Sequence, residues 1–188
     1  MKERLVRFRS FWVFPLLGVV LVSLTARGRP GSVLVNVLPF LLIGIVAWTL
    51  LEYGFHRILL HAEFRSPIMQ KFINASHLRH HAAPRDPDQI LVQLSFALVI
   101  SAVLYGAILI ATRDAFVTSG VMSGVWLGFL YYEAVHYRVH LSLAHSALLQ
   151  QQRRAHFYHH FSDSGKCFGV TSPLWDYVFG TMRRRSVS

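Results

Sequence analysis

The chain has 188 residues, 53 % of them hydrophobic and 15 % charged, and carries a formal net charge of +10. That length suits a single domain spanning 1–188 with no appended module, and apolar residues gathered in long runs point to a membrane and away from a soluble core. Lys and Arg lie between and beyond those runs, not in one basic stripe, which argues against nucleic acid as a partner; the single cysteine, Cys167, excludes an internal disulfide and a thiolate metal cluster.

The basic segment Met1 to Arg9 precedes a first apolar stretch, Phe11 to Ala26, which is the shortest and competes with a cleaved signal peptide. The turn Arg27 to Gly31 leads into a second stretch, Ser32 to Tyr53. After a polar middle segment come Ile90 to Ala111, the turn Thr112 to Asp114, and Ala115 to Val135. Each stretch is near the ~20 residues a spanning helix needs. The predicted fold is all-α and integral to the membrane, with four transmembrane helices arranged as two hairpins. With a cytoplasmic N-terminus, that side receives four Lys or Arg from the N-terminal arm, five from the middle segment and seven from the tail, against three in the two turns. The positive-inside rule then places both termini and the middle segment in the cytoplasm, in a bacterial inner membrane or the endoplasmic reticulum.

All eleven histidines fall on that side, after the second and fourth stretches. The chain repeats itself there: His56 and His61, then His77, His80 and His81; later His136 and His140, then His156, His159 and His160. The gap from second to third histidine is the same in both halves. Residues three and four apart share a helix face, so each triad points to one region, and His136 and His140 repeat the i, i+4 step of helical metal motifs. His56 and His61 are five apart, which predicts a helix that loosens there. A neutral imidazole supplies a metal bond of about 2.0 to 2.1 Å and four to six ligands complete one ion, so ten are too many for one metal and right for two. Imidazole alone leaves iron, zinc, copper and nickel open. A structural zinc site needs four ligands and a hydrolytic one three, whereas an all-nitrogen site with two metals suits oxygen activation.

The set Glu52, His56, Arg57, His61, His77, His80, His81, Tyr132, Glu133, His136, Tyr137, His140, His156, His159, His160 resembles the fatty acid hydroxylase and sterol desaturase superfamily. The tail from Phe168 to Thr181, with Gly169, Pro173, Trp175, Asp176 and Gly180, is similar to the segment that ends the fatty acid 2-hydroxylases. The resemblance covers Leu51 to Met182. It implies a membrane core of four helices capped by a cytoplasmic helical domain with a di-iron centre; the affinity order of divalent metals would let zinc replace iron in purified material. It also implies oxygen and a separate electron-donor protein as partners, removal of hydrogen from an unactivated C–H bond of a bilayer lipid, and hydroxylation of a fatty acid or acyl chain. A desaturase or hydroxylase of a sterol or carotenoid would use the same centre. The sequence departs from the eukaryotic 2-hydroxylases in lacking a fused haem domain and in a shorter link between its first two boxes.

Glu52 and Glu133 lie one helical turn before His56 and His136, where a carboxylate can accept the second imidazole N–H or simply meet water at a helix end. Asp163 and Asp176 are further candidates for that outer role. His145 has no counterpart in the first half and reads as a surface residue. Trp175, Tyr177 and Phe179 read as aromatic anchors, Gly169 and Gly180 as turn residues, Cys167 as a small buried residue, and Arg183, Arg184 and Arg185 as a tail for anionic headgroups. From another class, a histidine-rich metal transporter would place its site on broken helices near the bilayer midplane, not beyond helix ends. A purely structural metal role would couple metal removal to unfolding.

Overall fold

The computed structural model describes residues 8–73, 77–142 and 146–183, leaving His145, Arg184, Arg185 and most of the basic N-terminal arm outside the described residues. The described residues form helices and no strand. In chain order these are α1 (Ser10–Thr25), α2 (Val33–Gly54), a π-helical turn (Phe55–Leu60), α3 (Pro67–Ile73), α4 (Arg79–Ala82), α5 (Pro87–Ile90), α6 (Leu94–Thr112), α7 (Ala115–Leu141), α8 (Ala147–Phe161) and α9 (Leu174–Val178). They group into two units, residues 1–48 with 93–130, and residues 49–92 with 131–188.

Three stretches are long and apolar enough to cross a membrane: Val33–Leu60, Pro87–Thr112 and Ala115–Leu141. α1 is apolar but has only 16 residues, about 24 Å at 1.5 Å per residue, against a hydrocarbon core of about 30 Å. The third stretch becomes continuous helix at Leu94, not Ile90, because Leu91 and Gln93 are extended. The fourth runs past Val135 to Leu141, so His136 and His140 ride on its last turns instead of following it. A helix ends where its hydrogen-bond ladder is interrupted, not where its composition turns polar.

The first unit is organised around α7, whose apolar window is 61 % buried against 17 % and 6 % for the other two stretches. Phe14 of α1 packs on Trp126 and Phe129, and Trp48 of α2 on Phe129. Trp126 donates its indole N–H to Ser101 of α6 at 2.9 Å, and Tyr105 pairs with Ser119 at 3.1 Å. Large apolar side chains such as Trp12, Leu34, Val46, Val103 and Ile110 point outward, the pattern expected when lipid is the solvent. α2 and α7 touch through glycine: a Cβ on Gly44 would strike the Val121 carbonyl, and one on Gly124 the Leu41 carbonyl. Small residues allow such close backbone approach between membrane helices.

The two predicted turns meet. Arg29 reaches both carboxylate oxygens of Asp114 at 2.7 and 2.5 Å and lies over the Phe116 ring. Asp114 also caps α7 by accepting from the Phe116 and Val117 N–H groups. The pair is half-exposed, so it adds little energy, but it puts both turns at the same end of the unit, as two parallel hairpins require.

Gly124→Ala is expected to cost about 1–3 kcal/mol through overpacking. Gly106→Ala, where a Cβ meets nothing within 4 Å, should be neutral or slightly stabilising. Thermal unfolding of the two variants in detergent checks this contrast.

Candidate metal centre

All ten histidines of the repeat belong to the second unit, and local backbone explains how each arrives. α2 passes directly into the π-helical turn Phe55–Leu60, with His56 inside it and His61 at its C-cap. Hydrogen bonds of i to i+5 spacing bring residues five apart onto one face, so the loosening predicted at this point is a defined π turn. His136 and His140 are one α-turn apart on α7; His156, His159 and His160 line one side of α8. Ser146 accepts the Leu149 N–H and caps α8. His80 and His81 lie on α4, with His77 just before it.

The imidazoles converge as two groups of five. His56, His61, His77, His81 and His159 form the first, and His80, His136, His140, His156 and His160 the second; within each, one nitrogen per ring lies within 4.8 Å of all the others. In the first group the Nε2 atoms of His61, His77, His81 and His159 form a closed ring with sides of 3.0 to 3.2 Å. In the second, His156 Nε2 lies 3.1, 2.8 and 3.0 Å from those of His136, His140 and His160, and His136 is 3.1 Å from His80. Ligands at right angles around one ion with bonds of 2.0 to 2.1 Å stand about 2.9 Å apart. The donor sets therefore fit one metal ion each.

The grouping crosses the repeat. His80 comes from the first half of the sequence but joins the second group, and His159 from the second half joins the first. These two residues hold equivalent places in their triads, so each half gives up one histidine to the other's group. The neighbouring His81 and His160 rings stack at 4.1 Å between the groups.

Burial disfavours the charged form of an imidazole and so favours the neutral form that binds metal. It pushes His61 down to about 4, and His80 and His81 to about 3, with neighbouring imidazoles adding to the effect. His77, His156, His159 and His160 are likewise held below their ordinary value, first by burial.

The carboxylates act one step away from the rings. His56 donates its Nδ1 proton to the Phe168 carbonyl at 2.5 Å, not to Glu52, and His159 donates to the Lys166 carbonyl at 2.8 Å. Glu52 instead accepts the backbone N–H groups of Val170 and Thr171 and the Thr171 hydroxyl. Asp176 accepts the N–H groups of Phe168 and Gly169 and the Thr181 hydroxyl. Glu133 accepts the Val92 N–H at 3.2 Å, while His136 Nδ1 is buried with no hydrogen-bond partner among the described residues. Asp163 accepts the Gly165 N–H, shaping the turn before Lys166.

Sequence reasoning missed the two backbone carbonyls, since a carbonyl has no residue signature; the spelling of the tail was the signal. Trp175 donates to Thr49, and Phe179 stacks on Tyr53, as anchors should. Tyr177 is mostly exposed. Gly180 turns with a φ of +68°, while Gly169 is required because a Cβ would strike the Ser172 carbonyl. Cys167 is buried as expected, but with a left-handed φ of +56°.

A family model described as fatty acid hydroxylase matches residues 41–181. The chain belongs to the fatty acid hydroxylase family. Its relatives are hydroxylases by name, and the resemblance drawn from the histidine boxes and the tail is borne out. The chain is 31 % identical over 178 residues to the ceramide very long chain fatty acid hydroxylase of Schizosaccharomyces pombe, covering 91 % of this chain and 50 % of that protein. It is 27 % identical to a dihydroceramide fatty acyl 2-hydroxylase of Arabidopsis thaliana, covering 92 % and 73 %. It is 32 % identical to the fatty acid 2-hydroxylase of Homo sapiens, covering 75 % and 38 %. The chain thus spans half the length of the fission yeast relative. The visible hydroxylase domain of full-length Scs7p superposes with a TM-score of 0.79 at 25 % identity, covering 94 % of this chain and 67 % of that one.

The depressed histidines make the metal-free protein sensitive to acid. Below about pH 6.5 the unfolded chain takes up protons that the folded one refuses until about pH 4 to 3. Stability therefore falls as pH drops through that window. The melting temperature of chelator-treated protein should be lower at about pH 5.5 than at about pH 7.5.

Proposed function

We propose that this protein is an oxygen-dependent membrane hydroxylase of a fatty acid or lipid acyl chain, with one iron ion held by each group of five histidines. The observation that carries the reading is the convergence of ten imidazole nitrogens into two groups, each within 4.8 Å. The names of the relatives support an acyl chain as substrate, and the similarity through the tail favours that over a sterol or carotenoid. The whole chain acts as one catalytic domain in this reading.

Bound iron would supply the oxygen activation that no side chain here can perform. The balance is one C–H bond and one O2 consumed with two electrons and two protons, giving one alcohol and one water. The electrons come from a separate donor protein. The residues of the chain hold the metals, keep the imidazoles neutral and fix ring orientation. The excess of Lys and Arg outside the two hairpin turns supports a cytoplasmic location for both termini and the histidine groups. A reporter fused to the C-terminus should be read from the cytoplasm, and a periplasmic or lumenal signal would overturn that orientation.

The decisive experiment is mass spectrometry of lipids from cells expressing the wild type or His80→Ala together with a donor protein. Lipids gaining one oxygen atom with the wild type alone are the expected result. Loss of two hydrogens would replace hydroxylation by desaturation. Identical lipids from both, with the donor present, would sink the enzymatic reading.

A further inference from the structure

The ligands of the two groups are related by the repeat, but their outer contacts are not. In the first group, two rings have a fixed acceptor for Nδ1: the Phe168 carbonyl for His56 and the Lys166 carbonyl for His159. In the second, the Nδ1 atoms of His80, His136, His140, His156 and His160 are all buried and none has a hydrogen-bond partner among the described residues. An imidazole bound through Nε2 carries its proton on Nδ1, and an acceptor there fixes the tautomer and raises the basicity of the ligand; removing one typically costs 10- to 100-fold in metal affinity.

The two acceptors belong to one short strap, and its hold is unusually complete. Five successive backbone N–H groups are taken up: Cys167 by the Thr181 carbonyl, Phe168 and Gly169 by the two oxygens of Asp176, and Val170 and Thr171 by Glu52. Both carboxylates are buried, at 1 % and 4 % exposure. Between the two acceptor carbonyls, Cys167 sits in the left-handed region at a φ of +56°, a conformation that a non-glycine residue keeps only when its surroundings impose it. The strap holds the carbonyls; the carbonyls hold His56 and His159.

We propose that the two groups retain their metals unequally, the first as the slowly exchanging site and the second as the fast one, with Asp176 and Glu52 as positioning residues for the first. This rests on the reading that each group binds one ion. The carboxylates grip the backbone that carries the two acceptor carbonyls of the first group, so their effect should be confined to one site.

The test uses the full-length protein in detergent, loaded with two equivalents of zinc(II) and then challenged with a chelator, with retained zinc measured over time. The wild type should release zinc in two phases of one equivalent each, at least about tenfold apart. His140→Ala, a ligand of the second group, should keep only the slow phase, and His61→Ala, of the first, only the fast one. Asp176→Asn and Glu52→Gln should quicken the slow phase by about 10- to 100-fold and leave the fast one unchanged. Because these variants also loosen the tail, Cys167→Gly and Cys167→Val provide a second measurement. Glycine accepts the left-handed backbone and should preserve both phases, whereas β-branched valine resists it and should quicken the slow phase alone. Release of both equivalents in one phase from the wild type, or equal acceleration of both phases by Asp176→Asn, would overturn the inference while leaving the two-metal reading intact. A wild type that binds no zinc would remove the two-metal reading itself.

Discussion

The second unit depends on one constraint: ten imidazoles must be packed together in two groups of five. A protonated ring in such company would be repelled by any second charge and stripped of water, and the fold turns the ring nitrogens of each group toward one another. Each structural choice nearby follows from that requirement. α7 continues well past its apolar composition to deliver His136 and His140. The chain after α2 adopts a π turn where an α-turn would leave His56 and His61 on different faces. The exchange of His80 and His159 binds α4 and α8 into both groups at once, so that neither half of the repeat can complete a group alone.

Much of this was legible in the sequence because it is written in side chains. The apolar runs announce the long helices, and the spacing of the histidines announces two sets of five. What could not be read is where backbone geometry overrides composition. Val135 looks like the end of a span, yet the ladder of α7 carries on to Leu141. Ile90 looks like the start of one, yet extended residues at Leu91 and Gln93 delay α6 to Leu94. The crossing of His80 and His159 is hidden for a similar reason: on one turn of helix, adjacent residues point about 100° apart. Neighbours such as His80 and His81 can therefore serve different groups while their spacing suggests a single triad.

The tail illustrates how a motif can be specific without containing a single ligand. Its conspicuous residues are those that fix a backbone path. Gly169 leaves room for the Ser172 carbonyl, Asp176 gathers two N–H groups and the Thr181 hydroxyl, and Trp175 reaches Thr49. Tyr53 extends the network, pairing with Thr181 at 3.0 Å and accepting from Arg57 at 2.7 Å. A run of hydrogen bonds thus leads from Arg57 through Tyr53, Thr181 and Asp176 to the Phe168 N–H. The carbonyl of that same residue meets His56. Substitutions along this run leave every histidine in the sequence while altering how His56 is held.

The strap also explains why a repeated ligand pattern need not make two equivalent sites. It follows the second triad in the chain, yet the rings it contacts belong to the first group: His56 from the first half, and His159 that crossed over from the second. The equivalent stretch after His81 turns instead through α5, where Asp86 caps the helix by accepting the Asp88 N–H, and proceeds to α6. The repeat therefore applies to the imidazoles and stops at the backbone behind them. The two groups thus have matching donors in front and different hydrogen-bond surroundings behind.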